Sequence, residues 1–383
     1  MSEHVNAAGP SQGVRAPLGG SAAHAVASVG AQRTALIMAG GTGGHIFPGL
    51  AVAHALRDKG WRVHWLGAPG SMESRLVPPQ GFPLELVDFS GVRGKGLHTL
   101  VLLPLRLLRA FWQSLQIIRR VQPQVVVGLG GYITFPGGMM ATLLGKALVL
   151  HEQNSVAGMA NKVLARVSDR VFTAFPQVFA QGQWVGNPLR AGFLTQADPQ
   201  TRFAGRTGPL RVLVVGGSLG ATALNTVVPQ ALALIDPAQR PVVTHQSGEK
   251  QIETLRANYA KAGVAASLTP FIEDTAQAFA DADLVICRAG ASTVTEIAAV
   301  GVAAVFVPFP SAVDDHQTRN AQFLVAQGAA WLLPQAELTP QSLAALLQKT
   351  ERPALLDRAL QAKTLQKTGA TAAVVAACEE LCA

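Results

Sequence analysis

The stretch from residue 35 to residue 56 reads ALIMAGGTGGHIFPGLAVAHAL. An aliphatic run comes first, then a turn with four glycines, and then the apolar spacing of a helix. This order predicts a buried strand, a turn and a helix, the repeating unit of doubly wound parallel sheets. Glycines let backbone amides approach a ligand, and a helix N-terminus attracts phosphate. Because the turn also carries His45, we expect an anion site with an imidazole beside it.

The turn differs from the two common nucleotide-binding loops. A Walker loop ends in Gly-Lys-Ser/Thr, but no lysine follows Gly44. A dinucleotide fingerprint would need a glycine where Ile46 stands, and the next predicted strand, residues 61–67, lacks the terminal acid that holds a ribose. The alternative interpretation is a tight structural turn with a core histidine.

The composition fits a two-domain α/β protein. The chain has 383 residues, of which 49% are hydrophobic and only 14% charged, as expected for many buried parallel strands. Cys287, Cys378 and Cys382 form no set of paired spacings, which favours a reducing compartment. No apolar stretch is long enough to span a membrane. Residues 1–33 lack the pattern of a signal peptide and are expected to be a disordered leader.

Positive charge is concentrated in the first half. Up to Arg190 there are 17 basic and 7 acidic residues, whereas the remainder has 14 basic and 16 acidic. No acidic residue lies between Asp88 and Glu152, an interval with seven basic ones: Arg93, Lys95, Arg106, Arg109, Arg119, Arg120 and Lys146. This half is therefore expected to bind an anionic partner.

Between residues 100 and 120, the basic residues are interspersed with leucines and with Trp112. Such a segment is too apolar for a nucleic-acid contact and suits the surface of an anionic bilayer, to which each basic residue contributes about 1 kcal/mol. The alternative is a buried helix with a few exposed arginines. Pro104 is expected to start or kink this helix.

Alternating strands and helices occur twice along the chain. The second series restarts at residues 210–217, after Gly186-Asn187-Pro188-Leu189-Arg190 and a polar run from Thr195 to Gly208. We predict two doubly wound parallel sheets, with the boundary in this region and ligands between the carboxyl ends of the two sheets.

Further ligand loops follow predicted strands in both halves. The first half has a second glycine loop, residues 130–138, and the polar run His151-Glu152-Gln153-Asn154, which suits sugar hydroxyls but is also compatible with an Asx-capped loop. In the second half, the Gly216–Ala221 loop and the Arg288–Glu296 segment each lead into a predicted helix, and Gln317 follows a later strand. An Asp-x-Asp pair, Asp281 and Asp283, precedes its strand; we therefore interpret it as a turn and expect no obligatory protein-bound metal.

Taken in order, these motifs resemble those of the MurG family of bacterial glycosyltransferases. The matching segments are Gly40–His45, Gly130–Tyr132, His151–Asn154, Gly186–Arg190, Gly216–Ser218, His245–Gly248, Cys287–Ala291 and Asp315–Gln317. The resemblance runs from about Ala35 to the C-terminus, and it departs somewhat around Ser311 and Asp314.

The resemblance implies a GT-B fold: α/β, with two Rossmann-like doubly wound parallel-sheet domains facing an interdomain cleft. It implies an N-terminal acceptor and membrane domain at residues 34–190, a donor domain at 191–367 and a final helix, about 368–383, that returns to the first domain. Inverting transfer of GlcNAc from UDP-GlcNAc to the MurNAc 4-hydroxyl of lipid I is the implied reaction, with lipid II for peptidoglycan as product and no cofactor.

Site residues carry over by motif. His45 would be the catalytic base or only a positioning group; Gly130, Gly131, Tyr132 and Glu152 would bind the acceptor. Donor contacts would be Thr42, Gly43, Gly44, Asn154, Arg190, Ser218, Ile272, Ala291, Ser292, Thr293, Val294, Thr295, Glu296 and Gln317.

The implied location is peripheral, on the cytoplasmic face of the bacterial inner membrane, with other cell-wall synthesis enzymes as candidate partners and no nucleic acid. The remaining alternatives are another UDP-sugar enzyme, such as an epimerase or glycolipid glycosyltransferase, and a non-catalytic membrane-bound UDP-GlcNAc-binding protein.

Overall fold

The computed structural model describes residues 32–89, 102–217 and 220–383, and Arg33–Ala383 pack as one unit. The predicted leader, residues 1–33, lies almost wholly outside the described residues. Three residues named in the sequence analysis also lie outside the described residues: Arg93, Lys95 and Ser218.

The first domain is built on a seven-stranded parallel sheet with the strand order β3-β2-β1-β4-β5-β6-β7. Its strands are β1 (Thr34–Met38), β2 (Arg62–Gly67), β3 (Leu84–Leu86), β4 (Val125–Gly128), β5 (Ala147–Glu152), β6 (Arg170–Thr173) and β7 (Gln183–Trp184). Every residue of β1 is buried: Ala35 and Ile37 face one helical layer, and Leu36 and Met38 face the other. Burial on both faces explains the uninterrupted aliphatic runs.

The helices that follow these strands are α1 (Gly43–Asp58), α2 (Met72–Leu76), α3 (Leu103–Val121), α4 (Thr134–Leu143) and α5 (Met159–Leu164). α1 packs on one face of the sheet, while α3, α4 and α5 contribute to the core on the other face. Pro104 lies in the first turn of α3, where its missing N–H costs no helical hydrogen bond.

The second domain has a six-stranded parallel sheet in the order β10-β9-β8-β11-β12-β13. These strands are β8 (Arg211–Val215), β9 (Val242–Gln246), β10 (Ser267–Thr269), β11 (Leu284–Cys287), β12 (Ala303–Phe306) and β13 (Ala330–Leu332). The two parallel sheets confirm the predicted fold class.

Ten further helices are found in the described residues after β7. They are α6 (Ala191–Leu194), α7 (Pro199–Phe203), α8 (Thr222–Ala233), α9 (Ile252–Ala262), α10 (Thr275–Asp281), α11 (Ala291–Val300), α12 (His316–Val325), α13 (Pro340–Lys349), α14 (Arg352–Thr364) and α15 (Ala370–Glu380). α11 and α12 pack on one face of the second sheet, and α8, α9, α13 and α14 on the other.

The last helix, α15, packs on the first domain. Val374 and Cys378 share a core with Ile37 and Leu56, and α15 contacts α1. The chain crosses between the domains twice, and the two crossings are adjacent, since a side chain at Gly186 would clash with the backbone of Lys367. The numerical domain boundaries stay predictions.

Several local features differ from what the sequence patterns suggest. The polar run from Thr195 to Gly208, where the domain boundary was expected, contains α7, and Arg202 donates to the carbonyls of Ala280 and Val300 in the second domain. Three short strands, β7, β10 and β13, escaped the sequence analysis because two or three residues give no measurable periodicity. Helices α1 and α4 also begin earlier than expected, inside their glycine loops.

No helix among the described residues combines the length and the apolar character needed to cross a bilayer.

Candidate active site between two parallel sheets

The two glycine loops of the first domain pack directly against each other. The Gly40 amide donates to the carbonyl of Gly130 at 3.3 Å. Gly131 has a φ of +90°, and a Cβ there would collide with the Gly40 backbone, so only glycine fits. The helices that leave these loops, α1 and α4, have no side-chain cap at their N-termini. In α1 the amides of Gly43 and Gly44 are therefore available to an anion, whereas in α4 the Thr134 amide already donates to the carbonyl of Gly131 and Pro136 has no N–H.

A buried carboxylate, Glu73, sets the shape of the first loop. It is fully buried and accepts hydrogen bonds from the amides of Gly41 at 3.0 Å and Ala68 at 3.1 Å. Glu73 was not predicted, since it lies 32 positions from the loop. Its neighbours Ser71, Ser74 and Arg75 are polar, so no local pattern marks it as buried.

His45 lies in the first turn of α1 rather than in the turn before it. It is partly buried, and its Nδ1 is 2.9 Å from Oε1 of Gln153, which follows β5. A Cβ on Gly130 would approach the imidazole within 2.7 Å, so that glycine leaves room for the ring. Within the described parts of the chain, the other nitrogen of His45, Nε2, makes no hydrogen bond.

The segment His151–Asn154 has a different role from the one predicted. β5 continues through Glu152, and His151, Glu152 and Gln153 are almost fully buried. Both carboxylate oxygens of Glu152 accept hydrogen bonds from residues of the following loop, among them the amides of Asn154 and Gly158. Glu152 thus orders the loop after β5. Its contact with the acceptor substrate stays a prediction.

Tyr132 lies beside the first loop. A Cβ at Gly41 would be 3.4 Å from its ring, and the ring makes an edge contact with Phe89. Burial, and secondarily the charge of Glu73, raises the pKa of the Tyr132 hydroxyl. The phenol therefore stays protonated and can donate a hydrogen bond at neutral pH. Contacts of Gly130, Gly131 and Tyr132 with the acceptor stay predictions.

In the second domain, the N-terminus of α11 is another helix end without a side-chain cap. Ser292 and Thr293 are partly exposed in its first turn. Ala291, Val294 and Thr295 are buried, and the amide of Val294 already donates to Gly290. The side chains of these three residues pack in the core, and a donor contact through their backbone stays a prediction.

Arg190 and Glu296 face each other across the junction of the two domains. Arg190 Nη2 is 3.7 Å from Glu296 Oε1, and its guanidinium stacks over Phe47 of α1 and over Phe193. Burial raises the pKa of Glu296 to about 7, against the opposing influence of Arg190. A carboxylate this poorly solvated is suited to accept hydrogen bonds from a neutral polyol such as a ribose.

This pKa shift makes a testable prediction about stability. The unfolded carboxyl loses its proton near pH 4.5 and the folded one near pH 7, so ionisation of Glu296 costs folding free energy as the pH rises through this window. We expect Glu296→Gln to match the unaltered chain near pH 4 and to exceed its unfolding free energy by roughly 1–3 kcal/mol at pH 8. Urea denaturation without ligand measures both values. The exposed Glu253→Gln is the control, and a difference independent of pH would contradict the assignment.

Gln246 organises the loops on the donor side. Its Nε2 donates to the carbonyls of Gly217 and Pro270 and so links the loop after β8 to the segment that holds Ile272. Ile272 is partly exposed and packs against the core beside α11. Ser218, at the centre of the first of these loops, lies outside the described residues.

Gln317 is the second residue of α12, and its Oε1 accepts a hydrogen bond from the amide of Phe309. Arg288 supports the same loop by donating to the carbonyls of Val307 and Pro308. The role of Arg288 was not predicted, because only the folded chain brings its guanidinium to a loop twenty residues away.

Asn320 joins the two domains. It is fully buried, and its Oδ1 accepts hydrogen bonds from the amide and hydroxyl of Ser155, while its Nδ2 donates to Asn154 and to the carbonyl of Ala289. Thus the loop after β5 meets the loop after β11, and the carboxyl ends of both sheets are brought together. Asn320 stands one turn after Gln317, a spacing that the sequence analysis did not use.

Family models match both domains. Residues 35–173 match the glycosyltransferase family 28 N-terminal domain, and residues 211–375 match the glycosyltransferase family 28 C-terminal domain. A protein of Polaromonas sp. is 74% identical over 386 residues, covering all of both chains. A protein of Paracidovorax citrulli is also 74% identical, over 92% of this chain and 99% of its own. Both are named UDP-N-acetylglucosamine–N-acetylmuramyl-(pentapeptide) pyrophosphoryl-undecaprenol N-acetylglucosamine transferase.

Comparison with solved structures also points to glycosyltransferases. The crystal structure of Acinetobacter baumannii MurG is 42% identical and superposes with a TM-score of 0.80, covering 91% of this chain and 99% of that one. A calicheamicin glycosyltransferase, at 15% identity and a TM-score of 0.63, shares the fold. With both domains matched and full-length relatives so similar, the chain belongs to glycosyltransferase family 28 and, within it, to the MurG group.

Proposed function

We propose that this enzyme transfers GlcNAc from UDP-GlcNAc to the MurNAc 4-hydroxyl of undecaprenyl-pyrophosphoryl lipid I and so forms lipid II for peptidoglycan synthesis. Full-length relatives that are 74% identical and carry that transferase name are the observation that supports this function most strongly. The site has the parts that such a transfer needs: one imidazole with a free nitrogen, three uncapped helix N-termini and a buried carboxylate opposite an arginine.

The reaction is written as a single displacement with inversion. The acceptor 4-oxygen attacks C1 of GlcNAc and forms the new glycosidic bond, while His45 Nε2 takes the hydroxyl proton. The bond from C1 to the diphosphate oxygen breaks, and its electron pair leaves with UDP. In this proposal Arg190 and the segment at Ser218 neutralise the departing diphosphate. A base in this position contributes about 10² to 10⁴ in rate.

In this proposal the donor and the acceptor bind mainly to different domains. Ile272, Glu296 and Gln317 hold the uridine and sugar on the second domain, and the amides of Gly43 and Gly44 face the reacting sugar from the first. Asn154 acts at the junction, where its side chain already bonds Asn320. The acceptor diphosphate would lie against the two glycine loops. Amides of residues 130–132 would bind it, since those of Gly40 and Gly41 already donate to Gly130 and Glu73.

The transfer assay is direct. Purified enzyme is mixed with radiolabelled UDP-GlcNAc and a short-chain lipid I analogue, and the lipid fraction is analysed for labelled disaccharide. We expect labelled disaccharide lipid and release of UDP in equal amounts. Binding of UDP-GlcNAc without any labelled lipid would overturn the transferase proposal and favour a nucleotide-binding protein, and a labelled product made without the lipid acceptor would favour another UDP-sugar enzyme.

Helix α3 supports the proposal that the enzyme binds peripherally to an anionic membrane. Its second half is buried in the core through Ile117 and Ile118, but its first half exposes Leu105, Leu108 and Trp112, each more than half accessible. Arg106 and Arg109 are exposed in the same two turns. Apolar side chains that would otherwise face water, flanked by arginines, support docking on anionic lipid.

The membrane proposal predicts a loss of lipid binding in the variant Leu108→Ser/Trp112→Ser. Withdrawing two large side chains from the bilayer surface should weaken binding to phosphatidylglycerol vesicles about 10- to 100-fold. Sedimentation with vesicles measures the bound fraction, and raising the salt concentration should weaken binding further. Leu234→Ser, which changes another leucine more than half exposed, in the second domain, is the control. Equal binding by all three proteins would contradict this surface.

A further inference from the structure

A chain of hydrogen bonds connects His45 to the crossing between the domains. His45 Nδ1 lies 2.9 Å from Oε1 of Gln153, and Gln153 Nε2 lies 3.1 Å from Nδ1 of His151. His151 Nε2 lies 2.8 Å from the carbonyl oxygen of Gly186. Three side chains from two distant segments thus form one continuous line of polar atoms.

Backbone carbonyls fix the direction of every bond in this line. The carbonyl of Gly186 can only accept, so His151 Nε2 must carry a proton. The amide nitrogen of Gln153 also lies 3.2 Å from the carbonyl of His151, which again can only accept. The Gln153 amide is therefore oriented with its nitrogen towards His151 and its oxygen towards His45.

His151 is neutral in this arrangement. It is fully buried, and burial lowers its pKa to about 4. With its proton on Nε2, the Nδ1 of His151 is an acceptor and receives the Gln153 N–H. Gln153 Oε1 then has only one possible role towards His45, that of acceptor.

We propose that Gln153 and His151 are positioning residues that hold His45 as the tautomer protonated on Nδ1, so that Nε2 is the unprotonated nitrogen that receives the acceptor proton. This inference rests on the proposed transfer reaction. When the 4-hydroxyl proton moves to Nε2, the resulting imidazolium keeps its Nδ1–H bond to Gln153 Oε1, so no bond in the line has to break.

The arrangement opposes the usual preference of a histidine. A free neutral imidazole side chain carries its proton mainly on Nε2, and in that form Nε2 could not act as a base. Gln153 reverses this preference because an Nε2-protonated His45 would set the lone pair of Nδ1 against the lone pairs of Oε1. Gln153 and His151 belong to the polar run that suited sugar hydroxyls in the sequence. This positioning role explains why both side chains are buried instead.

Nitrogen NMR on ¹⁵N-histidine-labelled enzyme without substrate tests the tautomers. Two-bond ¹H–¹⁵N spectra at pH 8 should show a protonated Nδ1 and an unprotonated Nε2 for His45, with the opposite assignment for His151. His45→Gln and His151→Gln identify the resonances. A proton on Nε2 of His45 at this pH would overturn the proposal, whether or not the enzyme transfers GlcNAc.

The variant Gln153→Leu removes the acceptor while keeping the size of the side chain. We expect His45 to shift towards protonation on Nε2 and kcat to fall about 10- to 100-fold, with unchanged affinity for UDP-GlcNAc. Gln80→Leu is the matched control, since it breaks the same kind of bond to His54, 3.2 Å long, on the protein surface. An unchanged His45 tautomer in folded Gln153→Leu would contradict the role of Gln153. If that variant does not fold, the spectrum of the unaltered enzyme decides.

Discussion

Replacing His45 with glutamine is expected to lower kcat about 10²- to 10⁴-fold and to leave binding of UDP-GlcNAc unchanged. Glutamine has a similar reach and can still donate to Gln153 Oε1, so the first turn of α1 should keep its structure. What it lacks is a basic nitrogen for the acceptor proton. Because the loss concerns a group that changes protonation only during transfer, it should appear in kcat rather than in donor affinity.

Steady-state transfer rates and a separate titration with UDP-GlcNAc measure the two quantities. His54→Gln is the control: it lies on the same helix, partly exposed, and bonds Gln80 and Arg57 away from the site. A kcat for His45→Gln within a few-fold of the unaltered enzyme would leave His45 with only a positioning role. A loss of donor affinity without a loss of kcat would place the histidine in the donor site instead.

The second large effect concerns stability. Asp283→Ala is expected to lower the free energy of unfolding by about 3–5 kcal/mol, because it leaves two guanidinium groups without their counter-charge. Asp283 is fully buried, and its carboxylate contacts Arg206 Nη1 at 2.6 Å and Arg352 Nη2 at 3.2 Å. It also accepts the amide of Arg211 at 2.9 Å and so anchors the start of β8.

The same Asp-x-Asp pair supplies the control. Asp281 is exposed and accepts only a surface bond from Gln277, so Asp281→Ala should change the unfolding free energy by less than about 0.5 kcal/mol. Urea denaturation at neutral pH compares the three proteins. Equal losses for the two aspartates would contradict the ion-pair account. Retention of stability by Asp283→Ala would mean that water reaches both arginines.

Asp283 also shows what sequence reasoning can and cannot reach. Its position before β11 excluded it from the ligand edge, and the structure agrees with that placement. Its two arginine partners could not be predicted, since they lie 77 and 69 residues away and neither stands in a recognisable motif. Patterns along the chain predict elements and edges, whereas ion pairs between distant segments are decided by packing.

The loops of the candidate site were likewise only partly predictable from the sequence. Glycine-rich turns after aliphatic runs predicted the ligand edge in both domains, and the adjacency of Gly40 and Gly130 follows from the pairing of β1 with β4. The segment His151–Asn154 left two interpretations open, because polar residues at a strand end are equally compatible with facing a ligand and with supporting the fold. Only the burial of Gln153 and its bond to His45, 108 residues away, separates these possibilities.

Contacts between the domains were the least predictable part. Asn320 closes the junction through Ser155 at a separation of 165 residues, and no local pattern marks either residue as a partner. The pairing of Arg190 with Glu296 is similar, although each residue was separately expected at the donor site. Such contacts depend on how the two sheets are oriented.

A crystal structure of the enzyme with UDP-GlcNAc would locate the donor relative to both sheets. We expect uridine against Ile272 and Glu296 of the second domain, with C1 of the sugar turned towards Nε2 of His45. Uridine bound instead on the glycine loop of the first domain, at residues 40–44, would contradict this expectation.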